Sequence, residues 1–85
     1  MSIDDKSFLH ICDVTIASLN ECILRYEEVT RSGCDDETRY RMRQFYCSKA
    51  NNFIELWIQI TADFQNEKLR AEKLCFLRET IRFFS

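Results

Sequence analysis

The chain contains no proline and a single glycine, Gly33, and this scarcity of turn-forming residues restricts its fold more than any other feature. Strand-rich folds need a turn every few residues, and turns draw on Gly, Pro, Asn and Asp. The one strong interruption is the segment 32–36, where Gly33 can end a helix in the left-handed conformation and Asp35 or Asp36 can cap the next. The sequence therefore predicts an all-α fold that begins as an antiparallel helical hairpin.

The first helix is predicted over about residues 5–32, followed by a turn at 33–35. Apolar side chains recur along it at alternating steps of three and four, the heptad spacing of helices that pack side by side. This seam consists of Leu9, Cys12, Ile16, Leu19, Ile23 and Tyr26, and Phe8, Ile11, Thr15 and Cys22 widen it. A second, weaker strip on another side of the helix consists of Val14, Ala17 and Leu24. A helix covered on two sides is expected inside a bundle.

The remainder of the chain forms either one very long helix or two helices. Asn66 is a possible N-cap, so we predict helices over about residues 36–64 and 67–84. The alternation over 54–62 is also that of a half-buried strand, but a single strand has no pairing partner, so a helix is favoured. The predicted seams are Met42, Tyr46, Lys49, Phe53, Leu56 and Ile60, flanked by Ala50, Trp57 and Phe64, and then Leu74, Leu77, Ile81 and Phe84.

The apolar content exceeds what so small a domain can cover. Of the 85 residues, 46% are apolar and 13% aromatic, whereas a chain of this size buries only about 60% of the surface it exposes when unfolded. We therefore expect a helical hairpin or three-helix bundle with heptad seams, completed by another chain. Phe84 continues the last seam and Phe83 points about 100° away from it. The predicted partner interface consists of Val14, Ala17, Leu24, Trp57 and Phe83.

Charge is balanced overall but uneven along the chain. The net charge of −2 creates no field that would favour nucleic acid or an acidic membrane. Residues 1–37 contain nine acids and three bases, whereas residues 38–85 contain five acids and nine bases. We expect the acidic first helix to lie against the basic remainder or against that region of a second copy. Bases interleaved with aromatics from Arg39 to Lys49 give an alternative, nucleic-acid binding, which is less favoured than a solvated helix face.

The residues that could carry chemistry do not form a recognised site. Cys12 and Cys22 are separated by nine residues, a spacing that resembles one arm of the twin Cys-x9-Cys helical hairpins of the mitochondrial intermembrane space. Cys34 and Cys47 are separated by twelve, so the second arm departs from that pattern, and reduced core cysteines are favoured. His10 is the only histidine, and no metal-ligand pair, catalytic base or phosphate loop accompanies it. We therefore predict no enzyme activity, catalytic residue, cofactor or metal.

The sequence predicts a function in protein–protein association. The expected protein is a structural or adaptor subunit that forms a homodimer or hetero-oligomer with helical proteins. Its acidic N-terminus does not resemble a secretory signal, and the longest apolar stretch, residues 53–62, is interrupted by polar residues, so no membrane span is expected. A cytoplasmic or nuclear location follows by default.

Overall fold

A computed structural model describes residues 3–85 and shows three α-helices joined by short connections. The first, α1, spans Asp5–Arg31; α2 spans Asp36–Ile60; and α3 spans Glu67–Ile81, followed by a 3-10 turn over Arg82–Phe84. Since this part of the chain contains no strand, the predicted all-α fold is confirmed. The second half of the chain forms two helices.

Each α-helix begins at a side chain that caps it. Asp4, Asp35 and Asn66 accept a hydrogen bond from the backbone N–H three residues further on, at 2.7, 2.7 and 3.1 Å. Hydrogen bonds from the backbone and side chain of Ser7 lower the pKa of Asp4, and those from the side chain and backbone of Thr38 lower the pKa of Asp35. The caps predicted at Asp35 and Asn66 are therefore present.

Two connections set where the helices stop. Gly33 follows α1 with φ of +83°, the left-handed conformation that glycine adopts most readily, and its N–H contacts the carbonyl of Thr30 at 3.4 Å. The second helix ends at Ile60, four residues before the predicted position, because the chain turns there. This turn lets Phe64 fold back into the core, where it is 5% exposed.

The core row of α1 differs by one position from part of the predicted seam. The buried residues of α1 are Phe8, Cys12, Thr15, Leu19, Cys22 and Tyr26. Leu9 is 44% exposed, while Ile16 and Ile23 are half-buried. Two apolar rows run side by side along this helix, and spacing alone does not tell which row faces the bundle axis. The centre is shared by alternate members of the two rows, because α1 packs against α2 and α3 at once.

In α2, the predicted flank forms the core and much of the predicted seam does not. Ala50 and Trp57 are buried together with Ile54, whereas Leu56 and Ile60 are 52% and 46% exposed. Met42, Tyr46 and Phe53 of the seam pack against the core half-buried, so the seam lies along the edge of the core. The seam at the end of the chain was closer to the structure. Its members Leu77 and Phe84 are buried, and Leu74 and Ile81 pack against the core half-buried.

The three helices run up, down and up in an elongated bundle of 48 × 17 × 17 Å. The short turn makes α1 and α2 antiparallel, and α3 returns parallel to α1. Aromatic contacts mark both ends of this arrangement. Phe8 contacts Phe64 at one end, and Tyr26 contacts Phe84 at the other with 5.7 Å between ring centroids.

Candidate interaction groove

An open groove runs between α1 and α2 and is lined by these two helices alone. One part of it encloses about 330 Å³, and Trp57 and Thr15 contribute to its lining. Its other apolar and small residues are Ile11, Val14 and Ser18 of α1 and Phe53, Leu56 and Ile60 of α2. We call this part the apolar half.

The groove continues towards the hairpin turn as a second part of about 340 Å³, which shares Ser18 and Phe53 with the first. It is also lined by Glu21, Arg25, Tyr46 and Lys49. We call this part the charged half. Together the halves extend from residue 10 to 25 of α1 and from 46 to 60 of α2. At 1.5 Å per residue, this is a length of about 21 Å, or four helical turns.

Both walls of the groove have the spacing of a helix-packing surface. The α1 wall includes Ile11, Val14, Ser18, Glu21 and Arg25, beside which His10, Thr15 and Cys22 also line the groove. The α2 wall includes Tyr46, Lys49, Phe53, Leu56 and Ile60, with Trp57 beneath them. Each wall alternates steps of three and four residues, the pattern with which one helix packs against another. All five residues of the α2 wall belong to the seam predicted from the sequence. That seam therefore lines an open surface.

The predicted interface residues do not share one surface. Val14 is 51% exposed and lines the groove. Ala17 and Leu24 lie on the outer side of α1, where Leu24 is 58% exposed. Phe83 is 48% exposed near the C-terminus, with its ring edge-on to Tyr26 at 6.0 Å.

Trp57 differs from the other predicted interface residues because it is only 1% exposed. Its ring contacts Phe8, with 6.0 Å between centroids, and the guanidinium of Arg70 lies 5.5 Å from its centroid. The flank of the α2 seam faces the bundle axis, which explains the burial. Trp57 thus belongs to the chain's own core and forms the floor of the groove, where almost none of its surface is exposed.

Leu56 and Ile60 were not predicted as interface residues, although both are about half exposed. Their heptad spacing placed both in the predicted α2 seam, but the pattern did not indicate whether the chain itself or a partner covers that seam. Distinguishing an internal seam from an external one requires knowledge of where α3 packs. The sequence pattern does not contain that information.

The charges of the groove are paired only within α1. Arg25 donates a hydrogen bond to Glu21 at 3.2 Å, and both side chains remain mostly exposed. Across residues 3–85, every ion pair joins residues three or four positions apart. The acidic α1 does lie against the rest of the chain, but no ion pair in that range links α1 to α2 or α3.

The basic tract at the start of α2 is partly neutralised. Arg41 contacts Glu37 at 2.7 Å, and Arg39 contacts Asp36 at 3.5 Å. Lys49 lies in the groove, on a different side of the helix from Arg41. Two of the bases of the tract are therefore paired with acids of the same helix.

The cysteines occupy different environments. Cys12 and Cys22 are buried in the core of α1, as expected for small apolar residues, and burial raises the pKa of both thiols. Cys75 is exposed and does not belong to the core. No cluster of three or more potential metal ligands occurs among residues 3–85.

The length and composition of α1 meet a criterion for membrane-spanning helices. Of the helices in the described range, α1 alone is long and apolar enough to cross a membrane. No membrane span was predicted from the sequence, because polar residues interrupt its apolar stretches. Core helices of soluble proteins meet the same criterion as α1.

Comparison with protein-family models, with curated proteins and with solved structures found no match to this chain.

Proposed function

We propose that the protein is a non-enzymatic interaction module, a structural or adaptor subunit that associates with other helices through the α1/α2 groove. The observation that carries this proposal is the heptad spacing of both walls of an open groove. A helix that supplies apolar side chains at the same spacing can place them between the two walls. Association would thus complete the bundle on the side that α3 leaves open.

The exposed apolar residues of the groove supply the driving force. Val14, Leu56 and Ile60 are each about half exposed. Burying a whole side chain of this kind contributes about 1.5–3 kcal/mol. Covering the exposed halves of all three therefore contributes on the order of 2–4 kcal/mol, which changes an association constant by about two decades. This is enough for the groove to control binding.

The test is co-purification of partner chains with the tagged protein from its own cells. We expect partners to be retained by the wild type and by Leu24→Glu, and to be lost with Leu56→Glu. Leu24 is 58% exposed and Leu56 52%, but Leu24 lies on the outer side of α1, so Leu24→Glu is a matched control that also tests the predicted interface role of Leu24. Partner sets that are identical for the two variants would overturn the proposal.

Salt dependence distinguishes protein association from the nucleic-acid alternative. Binding through phosphate contacts weakens steeply as salt increases, whereas apolar helix packing does not. We expect the association to persist at high salt. Nucleic acid that co-purifies at low salt and is released together with the partners at high salt would instead favour the basic tract.

A further inference from the structure

We propose that the α1/α2 groove binds the same groove of a second copy, with a two-fold axis parallel to the helices. This inference rests on the proposed function and names its partner. In the dimer, α1 of each copy lies antiparallel to α2 of the other. The four helices form a bundle, and each α3 stays on the outside.

The size of the face favours a second copy over a single added helix. The long side of the molecule measures 48 by 17 Å, or roughly 800 Å² in projection. Standard protein interfaces bury about 800 Å² on each partner. A lone helix about 10 Å wide laid along the same 48 Å would cover only about 480 Å² in projection. A second copy can therefore use the whole face.

Charge favours contact between α1 of one copy and α2 of the other. Within its bounds α1 contains five acids and three bases, whereas α2 contains three acids and four bases. When α1 of one copy faces α2 of the other, the two helices carry net charges of opposite sign. When α1 faces α1, both carry a negative net charge. No ion pair within residues 3–85 joins α1 to another helix. Glu21 is paired with Arg25 of its own helix, but both side chains are mostly exposed, so Glu21 can also contact a base of a second copy.

The distribution of residues along the groove fixes the direction of the axis. Glu21 and Lys49 lie on opposite walls of the charged half. A two-fold axis parallel to the helices places Glu21 of each copy near Lys49 of the other, and the two apolar halves meet. An axis perpendicular to the helices would place Leu56 and Ile60 against the charged half of the other copy. Its charged side chains would then lose water without gaining an ion pair, which costs free energy. The parallel axis is therefore the favoured one.

Sedimentation equilibrium of the purified full chain tests the dimer. We expect a concentration-dependent dimer across the micromolar range. Leu56→Glu should weaken it about a hundredfold or more, since the dimer contains this residue twice, and Leu24→Glu should leave it unchanged. Both positions are exposed, so circular dichroism should show unchanged helicity. A wild type that stays monomeric, or equal effects of the two variants, would overturn the inference.

A charge-exchange experiment tests the orientation. Glu21→Lys and Lys49→Glu should each weaken the homodimer, because like charges then face each other. An equimolar mixture of the two variants should form a heterodimer in native mass spectrometry, because both contacts regain unlike charges. Heterodimers no more abundant than random mixing predicts would overturn the parallel axis.

Failure of the dimer and failure of the proposed function give different results. If the wild type is monomeric but binds other proteins, and Leu56→Glu loses them, the groove is an interaction site whose occupant is not a second copy. If Leu56→Glu leaves every association intact, the proposed dimer and the proposed function are both overturned.

Discussion

The aromatic rings of Phe8 and Phe64 stack face to face, with 3.8 Å between their centroids and 4° between their planes. Phe8 belongs to the first turns of α1, and Phe64 to the connection between α2 and α3. They are 0% and 5% exposed. The stack therefore holds the start of α1 against the connection between α2 and α3.

Phe64→Ala should lower the free energy of unfolding by about 3–5 kcal/mol, because it removes a buried ring and leaves a cavity. Urea denaturation followed by circular dichroism measures this loss. Phe45→Ala is the control, since Phe45 is 56% exposed and its loss should have little effect. Similar losses in the two variants would show that the stack does not contribute to stability as the structure indicates.

Arg70 holds the end of α2 against α3. Its Nε donates to the hydroxyl of Thr61 at 3.1 Å, and its Nη2 donates to the carbonyl of Ile58 at 2.9 Å. Arg70→Lys keeps the charge but cannot supply both donors in this planar geometry. We expect a loss of about 1–3 kcal/mol in the free energy of unfolding. Trp57 fluorescence during denaturation measures it, and Arg78→Lys at an exposed position should cause almost none.

The fold class, the hairpin turn and the break before Asn66 could be predicted because single residues determine them. Gly33 and Asn66 act through their own backbone and side chain, so local sequence is sufficient. The faces of α1 and α2 could not be assigned in this way. Heptad spacing identifies rows of apolar residues, but which row faces inward depends on where the third helix packs. For that reason Val14 was predicted at the partner interface and lines the groove, whereas Leu56 was predicted only as a member of the α2 seam.

Thiol reactivity should follow burial. Cys75 is exposed, while Cys12 and Cys22 are 1% and 3% exposed. Iodoacetamide should modify Cys75 first and the two buried thiols only after unfolding, as mass spectrometry of tryptic peptides can show.

A reductant should leave the melting temperature unchanged. A large fall on reduction would instead indicate a bridge, whose loss typically costs about 2–5 kcal/mol.

The buried thiols also predict a loss of stability in alkali. Burial raises the pKa of Cys12 and Cys22 in the folded protein. Above about pH 9 these thiols ionise in the unfolded chain while they stay neutral in the folded one. The unfolded state then binds fewer protons, so stability falls as pH rises. Melting temperatures measured across this range should fall less steeply for Cys12→Ala than for the wild type; parallel curves would contradict this account.

The two consecutive phenylalanines at the C-terminus should respond differently to substitution. Phe84 is 4% exposed and contacts Tyr26 edge-on, whereas Phe83 is 48% exposed on the neighbouring surface. Phe84→Ala should lower the free energy of unfolding by about 3 kcal/mol or more, and Phe83→Ala by much less, as measured by thermal and urea denaturation. Losses of equal size would contradict the assignment of Phe84 alone to the core.

Association gives Phe83→Ala a second readout. Phe83 lies outside the α1/α2 groove, so this variant should dimerise like the wild type in sedimentation equilibrium if the groove is the self-association surface. The sequence assigns Phe83 to a partner contact, and that contact then belongs to a different chain. Binding of such a chain should weaken in Phe83→Ala while helicity and dimerisation are retained. Loss of the dimer in Phe83→Ala would instead place the two-fold interface at the C-terminal end of the bundle, away from Val14 and Leu56.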